Sequence, residues 1–207
     1  MTEPIFSSDF FRRQDESADE RFYDFPRFVA HIDERAIEAV TELYREFFPA
    51  SGAILDLMSS WVSHLPEEIS FSRVAGLGMN RAELDANPRL TESVVQSLNS
   101  DPRLPFGAAE FDGAAICVSV QYLTRPVEVF REIARVLKEN APLVVAFSNR
   151  CFPTKAVFAW NALDDDGHIA LVGEYFAASE SYDEIEIRKH QPRGGDPLFG
   201  VIGRAKK

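Results

Sequence analysis

Residues 126–147, PVEVFREIARVLKENAPLVVAF, decide the fold class. Pro126 suits the first turn of a helix, where its missing N–H is no loss. Val129, Phe130, Ile133, Ala134 and Leu137 then recur on one face at the helical period, so Pro126–Leu137 reads as an amphipathic helix. Leu143–Phe147 follows as an unbroken apolar run, the pattern of a parallel strand covered on both faces. A helix feeding such a strand predicts an α/β sheet.

The flanking sequence repeats the alternation. Upstream, Ala53–Met58, Arg73–Leu77, Thr91–Leu98 and Phe111–Val120 read as strands, the last with Asp112 at its mouth. Asp33–Phe48 reads as a helix, with Ile37, Val40, Tyr44 and Phe47 on one stripe and Pro49 and Ser51-Gly52 as its stop. Arg81–Asn87 is a short helix ended by Pro88, since the residue before proline avoids helical backbone. Downstream, Thr154–Leu163 reads as a helix and Asp164-Asp165-Asp166 as a solvated run near its end. Ile185–Arg188 and Leu198–Ile202 flank the turn cluster at residues 192–197, which predicts a closing antiparallel hairpin.

The chain has 207 residues, the length of one domain. Its 45% hydrophobic and 27% charged content is that of a globular protein. A net charge of −11 argues against nucleic acid or an anionic membrane surface as a partner, both of which need a basic face. No apolar run approaches the roughly 18 residues of a membrane span. The first residues show no basic stretch followed by an apolar core, so no secretory signal is expected. Two cysteines, Cys117 and Cys151, rule out a disulfide framework or a cysteine-rich zinc site, and no metal site is expected; reduced thiols point to a cytoplasmic protein. Phe6, Phe10, Phe11, Phe22, Tyr23, Phe25 and Phe28 make residues 1–28 too aromatic for a free tail. The arm is expected to close the core or to lid a pocket. We therefore divide the chain into an arm and helix, residues 1–48, and a sheet domain, residues 49–207.

Ligands of an open parallel sheet bind at the carboxyl ends of the strands, near the point where strand order reverses. Four clusters fall there: Asp56–His64, Gly76–Asn80, Ser119–Tyr122 and Ser148–Phe152. The first loop has no glycine, so a dinucleotide pyrophosphate is poorly served. Asp56 would accept a cationic amine or cap a following helix. His64 reads as a buried or capping histidine or as a general base. His31 reads more readily as structural.

Several motifs carry a resemblance. Ile54-Leu55-Asp56-Leu57, Leu104-Pro105-Phe106 with Phe111-Asp112, Glu132–Lys138 and Leu143–Ser148 resemble the signature segments of class I S-adenosylmethionine-dependent methyltransferases, over roughly residues 50–150. The stretches 26–33, 57–66 and 147–155 are similar to a methyltransferase-like subfamily of bacteria and plants in which MSSWVSH (58–64) replaces the glycine loop. The implied fold is α/β: a doubly wound, mostly parallel seven-stranded (Rossmann-like) sheet with a C-terminal antiparallel hairpin and an N-terminal helical, aromatic arm. The implied cofactor is S-adenosylmethionine, held by Asp56, Met58, Ser59, Ser60, Gly78, Met79, Asn80, Asn99 and Ser119. Trp61, Asn149 and Arg150 would bind a small-molecule substrate, Arg150 with help from Lys155, and His64 and Tyr122 would be catalytic. The chain departs from the family at Gly78, which aligns on the acidic ribose contact, and near Ser97, where the adenine-side acid is missing. Two other readings stay open: a degenerate, non-catalytic methyltransferase-fold binding module, and a nicotinamide-dependent reductase.

Overall fold

The structure is a computed structural model that describes residues 6–207; the first five residues of the expected arm lie outside the described residues. Its centre is a seven-stranded sheet of order β3-β2-β1-β4-β5-β7-β6. The strands are β1 (Ala53–Ser59), β2 (Arg73–Gly78), β3 (Glu92–Val95), β4 (Gly113–Cys117), β5 (Pro142–Phe147), β6 (Tyr182–His190) and β7 (Leu198–Ala205). β1 to β5 run parallel, β7 returns antiparallel to β5, and β6 pairs antiparallel with β7. Chain order reverses between β1 and β4, which both leave the sheet at the same edge. The expected sheet and hairpin are thus present. β3 and β4 are shorter at both ends than expected, and β6 is longer, carried through a register shift between Asp183 and Glu186.

The helices are α1 (Asp19–Phe22), α2 (Glu34–Phe47), α3 (Arg81–Ala86), α4 (Pro126–Val136), α5 (Phe158–Asn161) and α6 (Asp165–Ser179). α2 begins where Asp33 accepts a hydrogen bond from the Ala36 N–H at 3.0 Å, and it buries Val40, Leu43, Tyr44 and Phe47 on one face of the sheet. α4 and α6 cover the other face. Only Phe158–Asn161 of the expected helix 154–163 is helical, and α6 was not foreseen. Asp164-Asp165-Asp166 is its start: the Asp164 carboxylate accepts the Gly167 N–H at 2.9 Å, and acidic residues suit a helix N-terminus. Ile169, Leu171, Val172, Tyr175, Phe176 and Ala178 are buried on several sides of α6, so no single apolar stripe announces it.

Two crossovers lack helices altogether. Residues 60–72, between β1 and β2, and residues 96–112, between β3 and β4, are irregular. Asp56 therefore has no following helix to cap.

Candidate functional site

At the carboxyl ends of β1, β2 and β4 lies a cavity of about 320 Å³. It takes in all the expected site residues except Asn149: Asp56, Met58, Ser59, Ser60, Trp61, His64, Gly78, Met79, Asn80, Asn99, Ser119, Tyr122 and Arg150. Asn149 is exposed and outside it. The arm supplies the facing wall through Asp19, Tyr23, Arg27 and residues 29–32. Tyr23 alone of the expected aromatic cover lines the cavity. Phe22 packs on Phe152, with ring centroids 5.3 Å apart, whereas Phe25 and Phe28 remain 75% and 50% exposed. Aromatic content is therefore no guide to which rings the arm buries.

The loop after β1 is organised from inside. Oδ2 of Asp56 accepts hydrogen bonds from the Ser59 and Ser63 hydroxyls, both at 2.6 Å. Asn87 donates in turn to Ser63 Oγ at 2.8 Å and to the Ser60 carbonyl at 2.9 Å. Asp56 thus holds the irregular crossover in shape where a helix would otherwise do so. Burial pushes its carboxyl up to about 6 in spite of the two hydroxyl donors. The unfolded chain loses this proton near 4. Between about pH 4 and 6 the folded state alone keeps it, so stability falls as pH rises through that window, by roughly 3 kcal/mol in total. Asp56→Asn, which can still accept both hydroxyls, is expected to flatten this slope in a series of thermal melts. An unchanged slope would mean that Asp56 ionises normally.

The second loop explains the missing acid. A Cβ on Gly78 would stand 2.2 Å from the Ser59 carbonyl oxygen, because the irregular end of β1 closes on β2 there. No side chain fits. Asn80 accepts the Glu83 N–H at 3.1 Å as the N-cap of α3 and donates to the Tyr23 and Asp24 carbonyls at 2.8 and 3.1 Å. Glu83 accepts the Arg27 N–H at 2.7 Å and the Ser60 hydroxyl at 2.6 Å. Asn99 is engaged too, donating to Asp19 and the Tyr122 carbonyl and accepting the Thr124 N–H.

Ser119 Oγ is buried with no hydrogen-bond partner and lines the cavity. Tyr122 accepts the Phe152 N–H at 2.8 Å, and burial pushes its hydroxyl up to about 12, so it keeps its own proton. Burial holds the His64 and His31 rings below the ordinary histidine value, which favours the neutral form of each. Met58, His64 and Val118 have φ of 54°, 54° and 48°. Left-handed backbone costs of order 1–3 kcal/mol per residue and concentrates at working sites.

One expectation about charge needs correction. Arg150 lines the cavity, and its Nε donates to Asp196 at 2.7 Å, with the Arg150 side chain 62% exposed. Lys155 does not reinforce it, being fully buried against the arm. Glu83, Arg27, His31 and Phe152 also line the cavity, although no site role was expected of them. Asn80-x-x-Glu83 has the spacing of a helix capping box, but its glutamate turns outward to the arm.

A family model described as methyltransferase domain matches residues 59–145. No curated protein matches the chain. Among solved structures, the PH0226 protein from Pyrococcus horikoshii OT3 is 16% identical, with TM-score 0.63, covering 90% of this chain and 99% of that one. A S-adenosylmethionine-dependent methyltransferase from Thermotoga maritima, described as a possible histamine N-methyltransferase, is 16% identical with TM-score 0.59, covering 83% and 89%. The 4+2 cyclase SpnF is 13% identical with TM-score 0.61, covering 82% and 81%. The chain shares the fold of these structures, and its residues 59–145 are similar to the methyltransferase domain. Among the described residues no helix is long and apolar enough to cross a membrane.

Proposed function

We propose that this chain is a S-adenosylmethionine-dependent methyltransferase acting on a small molecule in the cytoplasm. The observation that carries the reading is the single cavity in which β1, β2 and β4 end together, holding all but one of the residues expected from sequence. The cofactor combines an adenine ring, a ribose diol, a sulfonium and an amino-acid head. The cavity has apolar walls for the ring in Leu77, Met79 and Leu98, and two carboxylates, Asp56 and Glu83, toward a cationic ligand. Ser119 Oγ is a buried hydroxyl that lacks a partner. These groups fit the cofactor; Glu83, rather than a residue at the end of β2, is the acid on the ribose side. When bound, the cofactor supplies a methyl group already activated on sulfur. The protein has to orient the acceptor, exclude water and receive a proton. His64, neutral and set at the cavity wall, receives it, and the Tyr122 hydroxyl donates a hydrogen bond to the acceptor.

A second reading, a non-catalytic binding module, is favoured by one observation: Asn80 and Glu83 are already hydrogen-bonded to the arm. Titration with S-adenosylmethionine and S-adenosylhomocysteine addresses both. At ~100 times its dissociation constant a cofactor adds about 2.7 kcal/mol, a melting shift of roughly 5–10 °C for a chain of this size. Trp61 lines the cavity whereas Trp160 is buried in the core, so quenching of fluorescence that disappears in Trp61→Phe reports occupancy. Absence of any shift with either compound would remove the methyltransferase reading, and binding without turnover on any acceptor would favour the module.

A further inference from the structure

Asp56 lies on β1 and Glu83 follows β2, the side given to the cofactor, while Asp19 lies beside Asn99. The Arg27 backbone N–H donates to Glu83, but its guanidinium reaches Phe152, two residues beyond Arg150. Arg150 is paired with Asp196, and Asp19 is paired with Arg13 at 2.6 Å. Among the described residues, Arg27 is the guanidinium of the wall that meets no carboxylate within ion-pair distance.

Its setting is aromatic. The guanidinium carbon stands 4.5 Å from the Phe22 ring centre, 5.6 Å from Phe152 and 5.9 Å from Tyr23. Nη2 donates to the Phe22 carbonyl at 2.8 Å and Nη1 to the Phe25 carbonyl at 3.3 Å, which fixes the fork and leaves other N–H donors free. Phe152 and Tyr122 lie near-parallel, 29° apart with centroids at 6.1 Å, and the His31 ring stands edge-on to Phe152 at 5.2 Å. A protein of net charge −11 repels anions at a distance, so a fixed local cation is what retains one.

Building on the methyltransferase reading, we infer that the methyl acceptor is a flat aromatic carboxylate that also bears a ring hydroxyl or amine: its ring lies against Phe152, Tyr122 and Tyr23, its carboxylate sits on the Arg27 fork as an anchor, and the hydroxyl or amine takes the methyl and gives its proton to His64. A guanidinium takes a carboxylate through two parallel hydrogen bonds, a match that lysine does not reproduce. Arg27 is thus a specificity-determining residue supplied by the arm, and the arm is part of the acceptor site.

The test uses the full chain saturated with S-adenosylhomocysteine and three aromatic probes: anionic benzoate, neutral benzamide of the same planar shape, and cationic benzylamine. Calorimetric titration is expected to rank benzoate about tenfold or more above the other two. Arg27→Gln should bring benzoate down to the level of benzamide while S-adenosylhomocysteine affinity is kept. Arg27→Lys should restore only part of the loss. Benzylamine binding as well as benzoate, or benzoate binding unchanged in Arg27→Gln, overturns the inference. Should Arg27→Gln misfold, the ranking on the natural chain decides alone. If S-adenosylhomocysteine fails to bind, the methyltransferase reading falls. The benzoate series, run without it, still reads the acceptor pocket, so the two failures are distinguishable.

Discussion

Gly78→Asp is expected to destabilise the protein by about 3 kcal/mol or more, lowering Tm by roughly 6–12 °C. The substitution restores the acid that the resemblance to class I methyltransferases puts at this position, so a naive reading predicts tighter cofactor binding. The geometry predicts the opposite. Any Cβ at residue 78 sits 2.2 Å from the Ser59 carbonyl oxygen, and that oxygen belongs to backbone at the end of β1 that cannot swing away as a side chain would. Leu84 Cδ2, at 3.1 Å, closes the other direction. Gly78→Ala should cost nearly as much, which separates crowding from charge. The two variants are compared by thermal melts and by cofactor titration. A Gly78→Asp protein that melts like the parent and binds S-adenosylmethionine more tightly would show that the two strand ends do not close as described.

Lys155→Met should release the arm. Lys155 Nζ is fully enclosed, donating to the Ser17 carbonyl at 2.6 Å and lying 3.3 Å from an Asp15 carboxylate oxygen and 3.5 Å from Asp19. Asp19 also meets Arg13 at 2.6 Å and Asn99 at 2.8 Å, all nearly buried. The hydroxyl and N–H of Ser17, with a smaller share from Lys155, hold the Asp15 carboxyl down to about 2, so this anchor stays charged well into acid. Removing one member of a buried charge cluster leaves the others uncompensated and costs about 3–5 kcal/mol. Trypsin should then cut at Arg21 and Arg27 far faster than in the parent chain, and the cavity should lose its facing wall. Equal cleavage rates and an unchanged melt would show that the arm is held elsewhere, by Asn80 and Glu83.

The sheet and the edge at which the cavity lies were legible because they rest on local pattern. Leu143–Phe147 is apolar without interruption, and a strand buried on both faces has no polar side to show. The stripe of α2, the proline at the head of α4 and the turn at residues 192–197 are each signals within one element, and each stands where it was expected. The resemblance over residues 50–150 and the run at 58–64 directed attention to the strand ends, and the expected site residues there, Asn149 excepted, line one cavity.

Other features depend on what packs against what. α6 is apolar on several sides, so its period is mute until α4 and the sheet enclose it. Asp56 gave two equal readings in isolation, and the Ser59 and Ser63 hydroxyls supply a third, an internal brace for a crossover that has no helix. Arg150 found Asp196, 46 residues away, and Lys155 found the arm, because a charge is neutralised by whichever partner the fold brings near. Tyr23, Arg27 and His31 became wall residues for the same reason: the arm crosses the strand ends. Hydrophobic periodicity is a property of neighbours along the chain, and the sequence by itself determined the elements it marks and their order. Contacts between the arm, the β1 crossover and the end of β5 join residues far apart in sequence, and only the tertiary structure decided which side chains meet in the cavity.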